Sequence, residues 1–576
     1  MGIASTVNCG LTRRTRGGAR GHGPAHPAVP DSATVQDAAD STASNLADRL
    51  RRAAAERGGR VALHWRDTSL TWSALDAAVT ATAHALHAAA PPADRTPHPP
   101  RVAIGFGNTP DFVVTYLATL RAGLVAVPVN PALTGRELRH VLADSGAAVL
   151  VGAADVTARV DPADLPALRA VHTVPPVADD DVPARFPTRD GDDLAVLLYT
   201  SGTEGRPKGA MLSHRALAAN HAQADRIDPP VVGPDDTVLL ALPLFHAYGL
   251  NAGLGAVLHH GATGVLVDEP GPTGALDEIA RHRVSVLLGV PSMFLTWADA
   301  AGDPSAALAG VRVAVCGAAP LPRPVGSRFT ELTGHPVHVG YGLTETAPVL
   351  TSTLVGGEPK PGSIGRPLPG VELRLVGPDG DELWRDGVPA AETDDDGMDL
   401  TDDPVGTDPG QIVVRGANLF AGYWPDGRGG PGPDGWWATG DVAYADGDGD
   451  LFLVDRLGEL ILVNGFNVYP HEVESVLQAH PGVAESAVLG VPHPRTGETV
   501  RAYVVRAAGS SVTAAELLAH CARNLARFKC PTAVEFVDAL PYSAIGKVRK
   551  TELRPAPVVP SPAPPTETRT EVPDVQ

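Results

Sequence analysis

The sequence is organised around one stretch, Tyr199-Thr-Ser-Gly-Thr-Glu-Gly-Arg-Pro-Lys208-Gly. It follows an apolar run at residues 194–198 and precedes Ser213, a residue type that caps helices, so we predict strand, loop and helix in that order. Glycines let a backbone close around phosphate, while the hydroxyls and Lys208 add donors and a mobile positive charge. The stretch therefore predicts a phosphate site.

This loop differs from the common nucleotide P-loop, because its lysine precedes the glycine instead of following it. A polar surface turn is the alternative interpretation. Lysine is scarce: the 46 basic residues include only Lys208, Lys360, Lys529, Lys547 and Lys550. Lys208 and Lys547 stand in the two loops that most resemble sites, where a compact, rotatable ammonium suits phosphate chemistry.

The overall composition excludes several classes of protein. A chain of 576 residues with net charge −20 can bury a large core, and its charge argues against general nucleic-acid binding. No run of 18 apolar residues and no secretory signal is found, so we expect a cytoplasmic protein without an integral membrane segment. The four cysteines lack Cys-x-x-Cys spacing, which fits a reducing compartment and argues against a zinc site or a disulfide framework.

The hydrophobic pattern predicts an α/β fold with a largely parallel sheet. An amphipathic helix is expected from near Ser44 and another helix at 111–120, with capping boxes at Thr134–Glu137 and Thr513–Glu516. Predicted strands occupy residues 102–106, 125–127, 148–151, 238–242, 284–288, 311–315 and 337–339. Short β segments follow at 371–376, 411–415 and 451–454, separated by an acidic stretch at 379–408 that we interpret as a solvated loop.

We expect four regions along the chain. Residues 1–40 form a disordered extension, and 41–455 a large N-terminal domain of layered α/β subdomains with a small β-rich subdomain. Residues 456–555 form a small, mobile α+β domain, and 556–576 a Pro-rich disordered tail. No internal repeats are found.

Five further stretches accompany the loop. They are Pro243-Leu-Phe-His246, Gly340-Tyr-Gly-Leu-Thr-Glu345, Trp437-Ala-Thr-Gly-Asp441, Asp455-Arg456 with Asn464-Gly465-Phe-Asn-Val-Tyr-Pro-His-Glu-Val-Glu474, and Pro541-Tyr-Ser-Ala-Ile-Gly-Lys547. Together and in this order they resemble the adenylate-forming superfamily, which includes acyl-CoA synthetases, aryl-CoA ligases, peptide-synthetase adenylation domains and firefly-type luciferases. The resemblance covers residues 44 to 555.

The resemblance implies a reaction in two halves. A carboxylate attacks the α-phosphate of ATP to give an acyl-adenylate and pyrophosphate, and a thiol, usually coenzyme A, then takes the acyl group. Both halves concentrate negative charge, so positioning and electrostatic stabilisation should dominate catalysis.

The resemblance also implies ATP-binding roles position by position. The β- and γ-phosphates would be held by Thr200, Ser201, Gly202, Thr203 and Lys208. Adenosine would contact Gly317, Ala318, Ala319, Tyr341, Asp441 and Arg456. Thr344 would contact phosphate, and Glu345 would hold Mg²⁺, a hard cation that prefers oxygen ligands.

Three further residues would serve the acid and the thiol. Lys547 would bridge the carboxylate and the α-phosphate, and His246 resembles the gate between the acyl pocket and the thiol tunnel. Gly465 would let pantetheine pass close to the backbone.

Each residue alone has an ordinary alternative interpretation. Asp441 could cap a turn, and Arg456 could pair with a surface carboxylate. His246 and Tyr341 could be core residues, and Lys547 could be solvated. Their joint order favours function. One position departs from many relatives: Gly458 replaces a charged residue at the presumed pivot of the small domain, where glycine still permits a hinge.

The leading hypothesis is an ATP-dependent acyl-CoA ligase for a medium- or long-chain fatty acid, with Gly249, Gly253 and Gly255 leaving room for a chain or else allowing close helix packing. The alternatives are an aryl-CoA or short dicarboxylate ligase, and an acyl-AMP ligase that loads a separate carrier protein. A non-catalytic acyl- or nucleotide-binding protein would be expected to lack one of Lys208, Glu345, Asp441 or Lys547. The oligomeric state stays open, with a homodimer as one alternative.

Overall fold

The structure is a computed structural model of the chain. It describes residues 45–90, 98–178, 186–200, 207–268, 274–300, 304–356, 358–389, 406–456, 459, 461–463, 466–493, 495–542 and 548–553. The predictions for the terminal extension, the Pro-rich tail and Gly458 lie outside these residues. The domain boundaries remain predictions.

The first third of the described chain supplies a six-stranded sheet and also two strands of a second sheet. Its elements are α1 (Asp48–Arg57), β1 (Val61–Trp65), β2 (Thr68–Thr71), α2 (Trp72–Ala89), β3 (Arg101–Gly105), α3 (Pro110–Arg121), β4 (Val125–Pro128), α4 (Gly135–Ser145), β5 (Val149–Gly152), α5 (Ala154–Thr157), β6 (Ala170–His172), β7 (Leu194–Thr200), β8 (Lys208–Ser213) and α6 (His214–Ala224). The sheet order is β6-β5-β3-β4-β7-β8, parallel except for the antiparallel pair β7–β8.

The next part of the chain builds a nine-stranded sheet. It adds β9 (Thr237–Leu240), a π-helix (Tyr248–Gly255) that continues into α7 (Ala256–His260), β10 (Thr263–Leu266), α8 (Gly274–His282), β11 (Val286–Gly289), α9 (Pro291–Ala298), α10 (Ser305–Leu308), β12 (Val313–Cys316), α11 (Arg323–Thr333), β13 (Val337–Gly342), β14 (Val349–Ser352) and β15 (Arg366–Pro367). The order is β15-β14-β13-β12-β11-β9-β10-β1-β2, with a parallel centre from β13 to β1. Apolar residues of both sheets meet in one shared core.

Two smaller sheets follow. The first is antiparallel and contains β16 (Glu372–Val376), β17 (Glu382–Arg385), β18 (Val388–Pro389), β19 (Gly410–Arg415), β20 (Trp437–Ala445) and β21 (Leu451–Arg456). The second combines β22 (Ile461–Val463), β23 (Phe466–Val468), α12 (Pro470–Gln478), β24 (Val483–His493), β25 (Gly497–Arg506), α13 (Ala514–Asn524) and β26 (Ala533–Phe536) around its own core. The fold is thus mixed α/β, with a large N-terminal part and a smaller C-terminal part, as predicted.

Most predicted elements are present within two residues of their predicted ends. Both capping boxes form, and Ser213 caps α6 by accepting a hydrogen bond from the backbone N–H of Ala216. The predicted order of strand, loop and helix around the phosphate stretch is wrong. Strand β8 intervenes, because residues 209–212 are small or apolar and pair with β7 before the helix begins. Strands β7 and β8 therefore form a β-hairpin whose last described pair is Thr200 and Lys208, and the residues after Lys208 continue as a strand before the helix begins.

The acidic stretch at 379–408 is not a simple loop. Part of the stretch, residues 382–389, forms strands β17 and β18, while 390–405 lie outside the described residues.

The glycines near residue 250 are closely packed. A Cβ atom at Gly255 would lie 2.7 Å from Asn251 Oδ1 and 2.8 Å from His221 Nε2, and one at Gly249 would collide with the Pro243 carbonyl. These glycines allow close packing and do not widen a chain pocket.

Across the described residues, every helix is too short or too polar to cross a lipid bilayer.

Candidate active site

The predicted adenine and phosphate segments meet because they follow neighbouring parallel strands. Strands β11, β12 and β13 lie side by side and run in the same direction. Their carboxyl ends deliver residues 317–319 and the segment 341–346 to one edge of the nine-stranded sheet. Ligands of open α/β sheets bind at such an edge.

Gly317 is required by a close approach. A Cβ atom there would lie 2.9 Å from Cε1 of Tyr248, whose ring packs against the glycine backbone. The Tyr248 hydroxyl donates to the Val315 carbonyl at 3.1 Å, so the ring is fixed from its far end. Ala318 adopts φ of 68°, a left-handed conformation that costs an alanine free energy and is typical of functional loops.

Tyr341 and Asp441 are joined although they are a hundred positions apart in the chain. The Tyr341 hydroxyl donates to Asp441 Oδ2 at 2.6 Å, and Asp441 is only 4% exposed. Glycine is needed at position 342, since a Cβ atom there would collide with the carbonyl oxygen of Pro348. The motif thus places an aromatic face beside a buried carboxylate, the pair expected to bind adenine and ribose.

Glu345 is linked to the phosphate hairpin through Tyr423. The Tyr423 hydroxyl donates to Glu345 Oε1 at 2.7 Å, and Glu345 is 7% exposed. The ring of the same tyrosine lies 5.7 Å from the Lys208 ammonium nitrogen. One side chain therefore connects the carboxylate expected to hold Mg²⁺ and the lysine expected to hold phosphate.

The phosphate hairpin is positioned by a second segment of backbone. Thr200 and Lys208 pair across the base of the hairpin. The Trp424 N–H donates to the Gly209 carbonyl at 2.8 Å, and the Met211 N–H donates to the Gly422 carbonyl at 3.0 Å. These bonds bring Tyr423 beside β8 and set its distance from Lys208.

A cavity of about 130 Å³ runs from the adenine edge into the protein. Five predicted site residues line it: His246, Gly317, Ala318, Tyr341 and Thr344. His246 Nδ1 accepts from the Tyr248 N–H at 3.3 Å, which orients the ring at the cavity wall. The predicted acyl gate and the predicted nucleotide residues therefore face the same space.

The cavity continues as a channel along one helical face. Tyr248, Ala252, Ala256 and His260 line it at intervals of four residues on the π-helix and α7, and α6 forms the opposite wall. The twelve steps from Tyr248 to His260 extend about 15 Å, which is less than in an ideal α-helix because the first part is π-helical. The alanines keep the middle of the channel open, and apolar Ile227, Val232 and Leu288 complete its walls.

A polar cluster stands at the far end of this channel. Asp225, at the end of α6, accepts from His259 Nε2 at 2.7 Å and lies 3.2 Å from His260 Nε2. Burial opposes its ionisation, but hydrogen bonds from both histidines hold the pKa of Asp225 well below its ordinary value. Burial lowers the pKa of His259, and Asp225 only partly offsets this. Near neutral pH the cluster thus carries a carboxylate beside a neutral His259.

The remaining predicted site residues are not placed with the cavity. Ser201, Gly202, Thr203, Gly465 and Lys547 lie outside the described residues. Arg456 is described only as backbone, where it pairs with Asp441 between β21 and β20. Their roles remain predictions. Ala319 follows Ala318 in the segment after β12.

The sequence did not single out several residues that shape this site. Tyr423, Tyr248, Asp225, His259 and His260 do not belong to any recognisable motif. The spacing of residues 248, 252, 256 and 260 was available as a signal, but it becomes informative only once their helix is known to line a cavity.

The chain matches the family model of the AMP-binding enzyme over residues 50–424, and that of the AMP-binding enzyme C-terminal domain over residues 472–547. A feruloyl-CoA synthase from an Amycolatopsis species is 38% identical over 491 residues, 84% of this chain and 94% of the relative. A long-chain-fatty-acid–CoA ligase from Yersinia pestis is 34% identical over 79% of this chain and 84% of its own length. The ATP-bound crystal structure of MatB from Rhodopseudomonas palustris superposes with a TM-score of 0.78 at 33% identity, covering 88% and 98% of the two chains.

The fold and these matches define the class, an enzyme that activates a carboxylic acid with ATP. The chain belongs to the AMP-binding enzyme family, the adenylate-forming superfamily. It is an ATP-dependent acyl-CoA ligase that works through an acyl-adenylate.

Proposed function

We propose that the acid is an unbranched, medium-chain fatty acid, which the enzyme converts to its coenzyme A thioester with release of AMP and pyrophosphate. The channel lined by Ala252 and Ala256 carries this proposal. Its length of about 15 Å matches an extended chain of about ten to twelve carbons, at roughly 1.3 Å per zigzag C–C bond.

ATP would bind at the adenine edge in this proposal. The ring of Tyr341 offers a face for adenine, and Asp441 accepts hydrogen bonds from the ribose hydroxyls. Buried Glu345, oriented by Tyr423, fits a Mg²⁺ ligand because that cation prefers carboxylate oxygen. Magnesium would offset charge on the phosphates of ATP. Thr344 and Lys208 would donate to those phosphates.

The acid would enter with its carboxylate beside His246 and its chain along the channel. Its carboxylate oxygen attacks the α-phosphorus and pyrophosphate leaves, with Lys547 stabilising the charge that develops between the two reactants. In the second half the sulfur of coenzyme A attacks the acyl carbon and AMP leaves. Gly465 would let the pantetheine arm pass close to the backbone.

An aryl-CoA ligase is the second candidate. It is favoured by the 38% identity to a feruloyl-CoA synthase. A short, ring-bearing acid would fill the entrance of the channel near Tyr248 and would leave the segment from Ala256 to His260 empty.

Pyrophosphate release with a panel of acids, with and without coenzyme A, tests the proposal. We expect the highest kcat/KM for saturated acids of about ten to twelve carbons, and an acyl-CoA product. Ala256→Leu should move the optimum about four carbons shorter, because it blocks one helical turn of the channel. Ala519→Leu, on the exposed face of α13, should leave the optimum unchanged.

Other outcomes would contradict this proposal. A clear preference for hydroxycinnamates, with no response to Ala256→Leu, would favour the aryl candidate. Acyl-AMP that accumulates despite saturating coenzyme A would indicate carrier loading instead.

A further inference from the structure

We infer that the far end of the acid channel is a binding site for a hydroxyl group at the end of the substrate chain, with Asp225 as the hydrogen-bond acceptor. The inference rests on the proposed function and narrows its substrate class to ω-hydroxy acids. The relevant feature is a charged, hydrogen-bonded cluster at the end of a channel that is lined by Ala252, Ala256 and other apolar side chains together with Asn220 and His221.

The acceptor is held rigidly by two helices. Asp225 follows the last residue of α6, and His259 and His260 close the last turn of α7. The contacts of 2.7 Å and 3.2 Å from their Nε2 atoms fix both carboxylate oxygens. His259 is held in turn by stacking on His221, with ring centroids 5.2 Å apart. The carboxylate is thus preorganised before a substrate arrives.

The carboxylate retains capacity for another donor. An ionised carboxylate offers about four lone-pair positions, and the two histidines occupy two of them. Asp225 and His260 both line the channel, and the Asp225 side chain is 37% exposed. A chain that ends in a hydroxyl can donate to this carboxylate, whereas a methyl terminus would displace water from it and return no hydrogen bond.

The charge of the cluster selects against a second acid group. Asp225 stays ionised in the physiological range because the histidine hydrogen bonds lower its pKa. A terminal carboxylate placed against it would bring two negative charges together. Arg49 interacts electrostatically with Asp225, but among the described residues it does not line the channel, so it offers no direct contact to a terminal carboxylate. A dicarboxylic acid should therefore be the poorest of three matched substrates.

The three side chains also place their ligand atoms within 4.8 Å of one another, close enough to surround a metal ion. The direct 2.7 Å contact between His259 and Asp225 is explained by a hydrogen bond alone. A chelator therefore provides a useful arm of the test, because a site built on hydrogen bonds is unaffected by it.

The test compares dodecanoate, 12-hydroxydodecanoate and dodecanedioate, and the corresponding ten-carbon trio, by kcat/KM for thioester formation. For the wild type we expect the hydroxy acid to exceed the plain acid by about 10-fold, the gain of one hydrogen bond to a half-exposed charge. The dicarboxylate should fall below both. The order should not change after treatment with EDTA and assay in buffer with magnesium restored.

The matched variant is Asp225→Asn, with Asp379→Asn, in an exposed turn, as its control. Asp225→Asn should reduce the preference for the hydroxy acid to about 2-fold, raise activity on the dicarboxylate, and leave the KM for ATP unchanged. The wild-type ranking is decisive even if this variant folds poorly. Equal kcat/KM for the plain and the hydroxy acid overturns the inference, and so does a preference for the hydroxy acid that EDTA abolishes. In either case, thioester formation from these acids still upholds the proposed function. Failure to use any medium-chain acid overturns the proposed function itself.

Discussion

The two ends of the cavity are built in different ways. At the nucleotide end, Tyr341 meets Asp441 at 2.6 Å and Tyr423 meets Glu345 at 2.7 Å. Three of these four residues belong to recognisable motifs. At the acid end, Asp225 meets His259 and His260, and none of them belongs to a motif. The chemistry of the family is thus encoded in local sequence, whereas the channel that we propose for the acid depends on how two helices pack.

This difference predicts that substitutions at the two ends have separable effects. A change at the nucleotide end should alter ATP use with every acid. A change at the acid end should alter the ranking of acids and leave ATP use intact. The experiments on Ala256 and Asp225 address the acid end, and the following predictions address the nucleotide end and the helix that joins the two.

The largest effect is expected from Lys547→Ala. Loss of one donor to the transition state should slow adenylation by about 10²–10³-fold, or roughly 2.7–4 kcal/mol. The same variant should convert synthetic acyl-AMP and coenzyme A to thioester at a near wild-type rate. The two half-reactions are measured separately, by pyrophosphate release and by thioester formation.

Lys547→Arg serves as the charge-matched control and should rescue adenylation only in part, because a planar fork places its charge differently from an ammonium. Normal adenylation by Lys547→Ala, or equal damage to both half-reactions, would remove this lysine from the nucleotide end.

The second effect concerns His214, at the start of α6, the helix that ends beside Asp225. Burial lowers the pKa of His214 to about 4, and its Nδ1 accepts from the Leu46 N–H at 3.2 Å. The folded state keeps this imidazole neutral while the unfolded chain binds a proton below about pH 6.5. The contribution of His214 to the free energy of unfolding is therefore complete above about pH 6.5. It falls as the pH drops toward 4, and the loss is roughly 2 kcal/mol at pH 5.

Thermal unfolding at pH 7.5 and pH 5.0 checks the direction of this pH dependence. The Tm of His214→Gln should drop less between the two pH values than the Tm of the wild type. His335 is exposed, so His335→Gln should match the wild type. An identical drop in all three proteins would show that another group controls the acid sensitivity.

The smallest effect is expected from Tyr341→Phe. It removes the hydroxyl that orients buried Asp441, so the KM for ATP should rise by about 10-fold, the worth of one hydrogen bond to a charged group. The ranking of acids should not change. Tyr444→Phe, a more exposed tyrosine on the same strand as Asp441, is the control. An altered ranking of acids in Tyr341→Phe would contradict the separation of the two ends.

Much of the fold was predictable from local pattern, because buried parallel strands are continuous apolar runs. The alternation correctly placed β3, β4, β5, β9 and β12. Strand β8 was missed because its first residues, Lys208 and Gly209, have the composition of a loop. Only pairing with β7 and with the backbone near Tyr423 makes this segment a strand.

The lysines show the same limit. Their scarcity pointed to Lys208 and Lys547, but the structure also explains the other three without catalysis. Lys360 binds Asp446 and neighbouring carboxylates, Lys529 binds Glu472, and Lys550 binds Glu459 and Glu474. Composition alone could not separate an ion pair from a phosphate ligand, since both use the same ammonium.

The sequence by itself determined the family, the reaction class and the residues expected to touch ATP, because these depend on short motifs at the ends of strands. Only the tertiary structure shows the cavity that we propose as the acid channel. Gly249 and Gly255 proved to serve packing, whereas Ala252, Ala256 and His260 face the cavity. The physical reason is that a pocket is formed by the facing sides of separate elements. Which side faces inward is set by packing between helices and not by any one segment of sequence.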